Sequence, residues 1–241
     1  MPGIVGRSRE PRVYACAYCH LPNGAGRPEN ASLAGLTASY IKAQLLAFRD
    51  GHRPGSEPKR VPQTNMIALA KQLTDAEIDE AATYFASLRP VSFLKVIESA
   101  TVPRTVVAGW MLAKAPGDST EPMGNRIVEL AADVQRFQNR DSRTPYVAYV
   151  PMGSLARGAD LVTTGAGRTV PCAGCHGSKL KGLADVPRIT SRSPSYLFRQ
   201  LYDLRSGTRT GGASELMKPV VANLTDADMV AIAAYLASRG S

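Results

Sequence analysis

Cys16-Ala17-Tyr18-Cys19-His20 and Cys172-Ala173-Gly174-Cys175-His176 are the two stretches on which the reading of this 241-residue chain turns. Together they hold all four cysteines and two of the three histidines. A C-x-x-C-H run is the attachment signature of c-type haem. The spacing has a geometric reason. Two thiols three positions apart reach the two vinyl groups along one porphyrin edge and become thioethers, and the adjacent imidazole rises beneath the ring to bind iron. Cys16, Cys19, Cys172 and Cys175 are therefore the expected attachment points of two covalent haem c groups, with His20 and His176 as proximal ligands.

Three other readings use the same residues. Structural disulfides have no need of a histidine after each pair, and cysteines three apart close strained small loops. A thioredoxin-like pair requires a βαβ context that neither flank shows. A single zinc site would have to gather the two pairs across about 150 residues, without the usual short intervening loop.

Working outward, the chain repeats itself. A shift of 156 aligns His20 with His176, Tyr40 with Tyr196, Gln44 with Gln200, Arg49 with Arg205 and Arg53 with Arg209. Five extra residues in the first copy, within residues 54–65, then change the shift to 151, which aligns Met66 with Met217, Leu73-Thr74-Asp75 with Leu224-Thr225-Asp226 and Tyr84 with Tyr235. Duplication is the simplest account.

Haem iron has a sixth position, and a thioether is the common partner of a proximal histidine in electron-carrying c cytochromes. Met66 and Met217 are the methionines that align between the copies. Both are expected in a loop ahead of a helix, as distal iron ligands, the alternative being ordinary core methionines. Met111, Met123, Met152 and Met229 have no counterpart and are assigned to packing. His52, whose counterpart is Thr208, reads as a solvated loop residue.

Both copies read as helical. Ile41, Leu45, Leu46 and Phe48, and Leu197, Leu201, Tyr202 and Leu204, form matching stripes suited to one buried face. Thr74-Asp75-Ala76-Glu77 is a capping box and Thr225-Asp226-Ala227-Asp228 its close relative. Gly153-Ser154 precedes a capped helix ahead of the second motif, whereas the residues before Cys16, rich in Pro and Gly, predict a first helix that is short or missing. Residues 91–150 match neither copy. Val102 to Trp110 and Tyr146 to Val150 read as extended, with a helix around Asn125 to Gln135, and the sole tryptophan, Trp110, as a structural anchor.

Composition sets outer bounds. At 44% apolar the chain can build a sizeable core. No apolar run reaches the ~18–20 residues of a transmembrane helix, so no transmembrane segment is expected. The net charge of +9 is spread, with 11 basic against 8 acidic groups in residues 1–90, 7 against 6 in 91–150 and 11 against 6 in 151–241. A nucleic-acid partner would call for clustered Lys and Arg interleaved with aromatics, and neither is present.

These motifs resemble the class I, cytochrome c4-like dihaem cytochromes over residues 1–90 and 151–241. The resemblance implies an all-α fold: two tandem cytochrome c-like domains, 1–90 and 151–241, each covalently binding one haem, joined by a partly extended middle insert, 91–150. It implies thioether links at Cys16, Cys19, Cys172 and Cys175, proximal ligands His20 and His176, and distal ligands Met66 and Met217. In that family a backbone carbonyl some 11 to 12 residues past the histidine accepts its Nδ1 hydrogen bond, a region held here by Ala31 and Pro187. The recurring Arg49, Arg53, Arg205 and Arg209 are candidates for steadying haem propionates, or are solvated turn residues.

The implied function is a periplasmic electron carrier, not an enzyme, that exchanges single electrons with respiratory redox proteins. Lys179 and Lys181, just past His176, suit an acidic partner. Residues 1–11 lack the apolar core of a signal peptide, so export implies a leader outside the given chain. Two alternatives remain: a cytochrome subunit of a larger dehydrogenase or oxidase, peripherally held at a membrane complex, and a dihaem peroxidase with one open iron.

Overall fold

The computed structural model describes residues 1–10, 13–109 and 111–240. Trp110 lies outside them. The first copy contains α1 (Gly3–Gly6), α2 (Cys16–His20), α3 (Ala38–Arg49), α4 (Val61–Ala70) and α5 (Asp75–Ala86). Seven strands follow, β1 (Leu94–Glu98), β2 (Thr101–Pro103), β3 (Thr105–Ala108), β4 (Met111–Lys114), β5 (Thr120–Pro122), β6 (Val128–Ala131) and β7 (Tyr146–Val150), with α6 (Val134–Gln138) between the last two. The second copy contains α7 (Ser154–Thr164), α8 (Ala173–His176), α9 (Pro194–Arg205), a 3-10 turn (Gly212–Met217), α10 (Lys218–Val221) and α11 (Asp226–Ser238).

The all-α expectation is corrected: 41% of the chain is helical and 14% is strand. The strands form a three-stranded sheet in the order β1-β7-β6 and two two-stranded ladders, β2-β5 and β3-β4. β1 runs parallel to β7, pairing Leu94 with Tyr146 through Glu98 with Val150, and β6 is antiparallel to β7. Val, Ile and Tyr dominate these segments and favour the pleated surface. The helix expected around Asn125 to Gln135 is instead β6 followed by α6.

Three apolar clusters hold the chain together. One gathers Ile4, Val5, Val13, Ile41, Ile78 and Phe85. A second gathers Leu161, Leu197, Leu204, Met229, Ile232 and Leu236. The smallest, Val102, Met123, Val128 and Leu130, lies within the insert.

Both capping boxes form as the sequence predicts, with Thr74 accepting from the Glu77 amide and Thr225 from the Asp228 amide. Each fixes the start of a last helix whose apolar face, Ile78, Ala81, Ala82 and Phe85 in α5 and Met229, Ile232, Ala233 and Leu236 in α11, is buried. The cap of α7 differs from expectation. Gly153 takes the N-cap position in the left-handed region, and the Leu155 amide donates to the Glu98 carboxylate of β1 at 2.7 Å. Gly158 lets α7 approach α11 closely, since a Cβ there would lie 2.1 Å from the Ala231 carbonyl oxygen. Met123 and Met229 are core residues, whereas Met152 is 66% exposed and packs into no core.

The two candidate haem sites

α2 ends on His20 and α8 on His176, so each short helix aims its imidazole from a fixed last turn. His20 Nδ1 lies 2.8 Å from the Ala31 carbonyl oxygen, and His176 Nδ1 lies 2.7 Å from that of Pro187. A carbonyl only accepts, so Nδ1–H is the donor in both, and Nε2 is left with its lone pair free for a metal. Burial holds both imidazoles below their ordinary pKa, with the carbonyl bonds opposing it. Each is therefore a neutral base at pH 7, the form in which imidazole binds iron.

The first site is an open-mouthed cavity that brings Cys16, Cys19, His20 and Met66 to a common space. Apolar residues including Leu36, Leu45, Phe48 and Leu69 line it beside them. Met66 lies inside α4 rather than in a loop ahead of a helix. Pro62, in the first turn of α4, is the start signal that marks the helix. In the second copy Cys172 and Met217 pack beside the core formed by Leu161, Leu197 and Met229, and Met217 closes the 3-10 turn before α10. His52 is exposed, and its carbonyl accepts from the Thr210 amide at 2.9 Å. None of the four cysteines is joined to another in a disulfide, and among the described residues no group of three or more His, Cys, Asp or Glu side chains forms a metal site. The paired disulfides and the shared zinc site are thus not assembled. Burial pushes the Cys16 thiol up to about 12 and the Cys172 thiol up to about 11, with the charge of Cys19 and Cys175 adding to it.

Between the two copies lies a buried polar layer with a local two-fold pattern. Arg53 donates to Gln44 Oε1 at 3.0 Å and to Gln200 Oε1 at 2.6 Å, while Arg209 donates to Gln200 Oε1 at 2.9 Å and to Gln44 Oε1 at 3.0 Å. Arg209 also reaches the Tyr40 hydroxyl at 3.1 Å. Arg53, Arg60 and Arg199 all line the polar end of the first cavity, and none has an ion-pair partner among the described residues. Burial lowers the pKa of Arg53 and of Arg60, and burial followed by the Arg60 charge brings Arg199 down to about 10. Arg53 is buried and Arg60 and Arg199 are half-buried, and a guanidinium drawn out of water without a counter-ion is costly. Two carboxylates entering at the cavity's polar end would compensate them.

A haem fits this donor set. Its vinyl edge would meet the thiols, its iron the imidazole and thioether, and its propionates the guanidiniums. The four recurring arginines divide by role. Arg49 and Arg205 pair with Asp75 and Asp226 at 2.8 and 2.6 Å, at the starts of α5 and α11, while Arg53 and Arg209 face the interior. Repeat matching does not mark Arg60 and Arg199 as site residues: Arg60 lies in the stretch 54–65 that holds the five extra residues, and the counterpart of Arg199 is Ala43. Tyr84 donates to the Pro22 carbonyl at 2.8 Å and braces the turn behind the first motif.

Comparison with known proteins agrees with this geometry. The family model for cytochrome c matches residues 11–89 and 155–240. A cytochrome c4 of Azotobacter vinelandii is 25% identical over 230 residues, covering 93% of this chain and 84% of that protein. The thiosulfate dehydrogenase electron acceptor of Thiomonas intermedia is 25% identical over 232 residues, covering 95% and 80% respectively. Among solved structures, a thiosulfate dehydrogenase of Marichromatium purpuratum superposes with a TM-score of 0.61 at 27% identity over 95% of this chain, which spans 37% of that longer one. This chain belongs to the cytochrome c family, as a dihaem electron-transfer protein of the cytochrome c4 type with two covalent haem c groups.

Proposed function

We propose that this chain is a periplasmic carrier that passes single electrons between respiratory partners through two His/Met-ligated haems. Cys16 and Cys19 hold the first haem and Cys172 and Cys175 the second, with His20 and Met66, and His176 and Met217, as the axial pairs. Residues 1–90 and 151–241 are the two haem-bearing domains and 91–150 the connecting insert. The observation that carries this reading is the duplicated bond from His Nδ1 to a carbonyl eleven residues on, at 2.8 and 2.7 Å.

Bound haem supplies a one-electron Fe(III)/Fe(II) couple. Ala31 and Pro187 fix the imidazole tautomer and raise its basicity. The apolar walls, with Leu36, Leu45 and Phe85 in the first copy, exclude water and disfavour the extra ferric charge. Arg53, Arg60 and Arg199 offset propionate charge at the polar end of the first cavity. Gln44 and Gln200 each accept from both Arg53 and Arg209, which ties the wall of the first cavity to the second copy and supports relay between the two copies.

A second reading, the cytochrome subunit of a larger dehydrogenase, draws on the match to the thiosulfate dehydrogenase chain and to a protein named as the electron acceptor of such an enzyme. Among the described residues no single helix is long and apolar enough to cross a membrane. The test is a redox titration with optical spectra on holoprotein made in an export and haem-attachment host. Two haems per chain and a far-red thioether-to-iron band are expected. Tight cyanide binding at one resting iron, with peroxide turnover, would establish a peroxidase instead. Purification of a stable complex from the native host would favour the subunit reading.

A further inference from the structure

The two attachment segments are related by the 156-residue shift, yet the insert packs on part of the first and leaves the second to solvent. Arg27, the counterpart of Leu183, is buried: it donates to Met111 Sδ at 3.4 Å and its guanidinium stands 3.9 Å from the Phe137 ring centroid. Asn23, the counterpart of Lys179, donates to the Ser142 carbonyl at 2.8 Å. Tyr18, the counterpart of Gly174, receives Arg140 over its ring at 3.5 Å and gives its carbonyl to the same guanidinium at 2.6 Å. Met111, Phe137, Arg140 and Ser142 all belong to residues 91–150. What stays open on that side is the stacked pair Tyr14 and Tyr18, topped by a cation.

The insert gives the second segment no such cover; the first copy reaches it at Asp185, whose carboxylate accepts from Thr37 at 3.1 Å and from Ser39. Cys175, Lys179 and Lys181 are exposed, Leu183 is 59% exposed, and Val170, which precedes Cys172 by two residues, is 52% exposed. Leu216, beside Met217, is 75% exposed. Neither Lys179 nor Lys181 has an ion-pair partner among the described residues. Leu183, a large apolar side chain left in water two residues from Lys181, is with the unpaired lysines an unfavourable surface for a lone molecule and a favourable one for a transient partner.

We propose that the insert makes docking one-sided. It packs over Asn23 and Arg27 and sets the Arg140 cation on Tyr18, so redox proteins dock instead at Val170, Leu183 and Leu216, with Lys179 and Lys181 meeting carboxylates around the partner's own apolar patch. One electron crosses there per encounter, lost by one protein and gained by the other with no bond made or broken, and the first haem exchanges electrons through the second. The inference rests on the electron-transfer reading above. A haem count on the purified holoprotein tests that reading separately.

The probe is hexacyanochromate(III), a redox-inert paramagnetic anion, added to ferrous holoprotein at low salt while amide resonances are recorded. Broadening is expected at Lys179, Lys181 and Leu183 and not at Tyr14, Tyr18 or Asn23. Equal broadening at both segments, or none at the lysines, overturns the proposal. As a second readout, hexacyanoferrate(III) takes one electron from each ferrous haem. Lys179→Glu with Lys181→Glu should slow that oxidation about tenfold for both haems, in keeping with the steering range of charged encounters. If the first haem keeps its wild-type rate, it has its own entry and one-sided docking is wrong.

Discussion

Arg53 donates to the side-chain oxygen of Gln200 at 2.6 Å across the boundary between the two copies. Its counterpart Arg209 returns the contact to Gln44 at 3.0 Å. Four residues that align pairwise in the repeat thereby build one interface. Both glutamine oxygens are shared, so removing one guanidinium leaves a buried acceptor half-satisfied. Arg53→Ala, Gln200→Ala and the double variant form a thermodynamic cycle. A coupling of about 0.5–3 kcal/mol is expected from thermal unfolding of the holoprotein, and additive losses would show that the contact does not join the copies.

Asp228 governs acid stability in the second copy. Its side chain is fully buried and ion-paired to Arg157 at 2.5 Å and to Arg168 at 2.7 Å. Burial alone would raise its pKa, but the Thr225 hydroxyl and amide and the Arg157 guanidinium together hold it far below the ordinary carboxylate range. A depressed folded-state pKa gives stability that is complete above the unfolded value of about 4 and is lost as pH falls through that region and below it. Asp228→Asn should cost about 1–3 kcal/mol at pH 7, the range for hydrogen bonds to a charged group, because Arg157 and Arg168 are half-exposed and water takes over part of the lost carboxylate. It should also flatten the fall in melting temperature below about pH 4, and an unchanged acid slope would remove Asp228 from that role.

The contrast between Thr225 and Glu98 shows what the sequence carries and what it does not. The capping boxes at Thr74 and Thr225 are local, three residues from donor to acceptor, and read directly from the chain. The cap of α7 comes from Glu98, 57 positions away, and depends on a strand that pairs in parallel with another 52 residues on. Local pattern does not encode such pairing, which is why Tyr146 to Val150 reads as extended while its partner β1 does not, and why a helix is expected where β6 runs. The C-x-x-C-H motifs are legible because the chemistry needs contiguous residues. Arg60, Arg140 and Arg199 are not, because each reaches its site from a segment with no repeated counterpart of like charge.

Gly158 sets the spacing of the two principal helices of the second copy. An added Cβ would sit 2.1 Å from the Ala231 carbonyl oxygen and 2.7 Å from Tyr235 Cβ, and a backbone carbonyl inside a helix cannot step aside. Gly158→Ala is expected to destabilise by at least the ~1–3 kcal/mol typical of overpacking. Gly3→Ala, also helical but with open space around it, serves as the control and should stay within about 0.5 kcal/mol of wild type. Similar melting temperatures for the two variants would mean that α7 and α11 do not cross at this glycine.

Met66 and Met217 occupy different local structures, one inside α4 and the other at the end of a 3-10 turn, yet both pack beside the apolar cluster of their own copy. If both supply the sixth iron ligand, each accounts for about half of the far-red thioether-to-iron absorption. Met66→Ala should therefore halve that band, lower the reduction potential of the first haem and admit carbon monoxide there, because a thioether favours the ferrous state and fills the position. Met217→Ala should do the same at the second haem. An intact band in either variant would remove that methionine as a ligand. His52 could not take its place in the first copy without leaving the surface loop, where its carbonyl accepts from the Thr210 amide. The two variants together, with the band abolished and both irons binding carbon monoxide, would complete the assignment of Met66 and Met217.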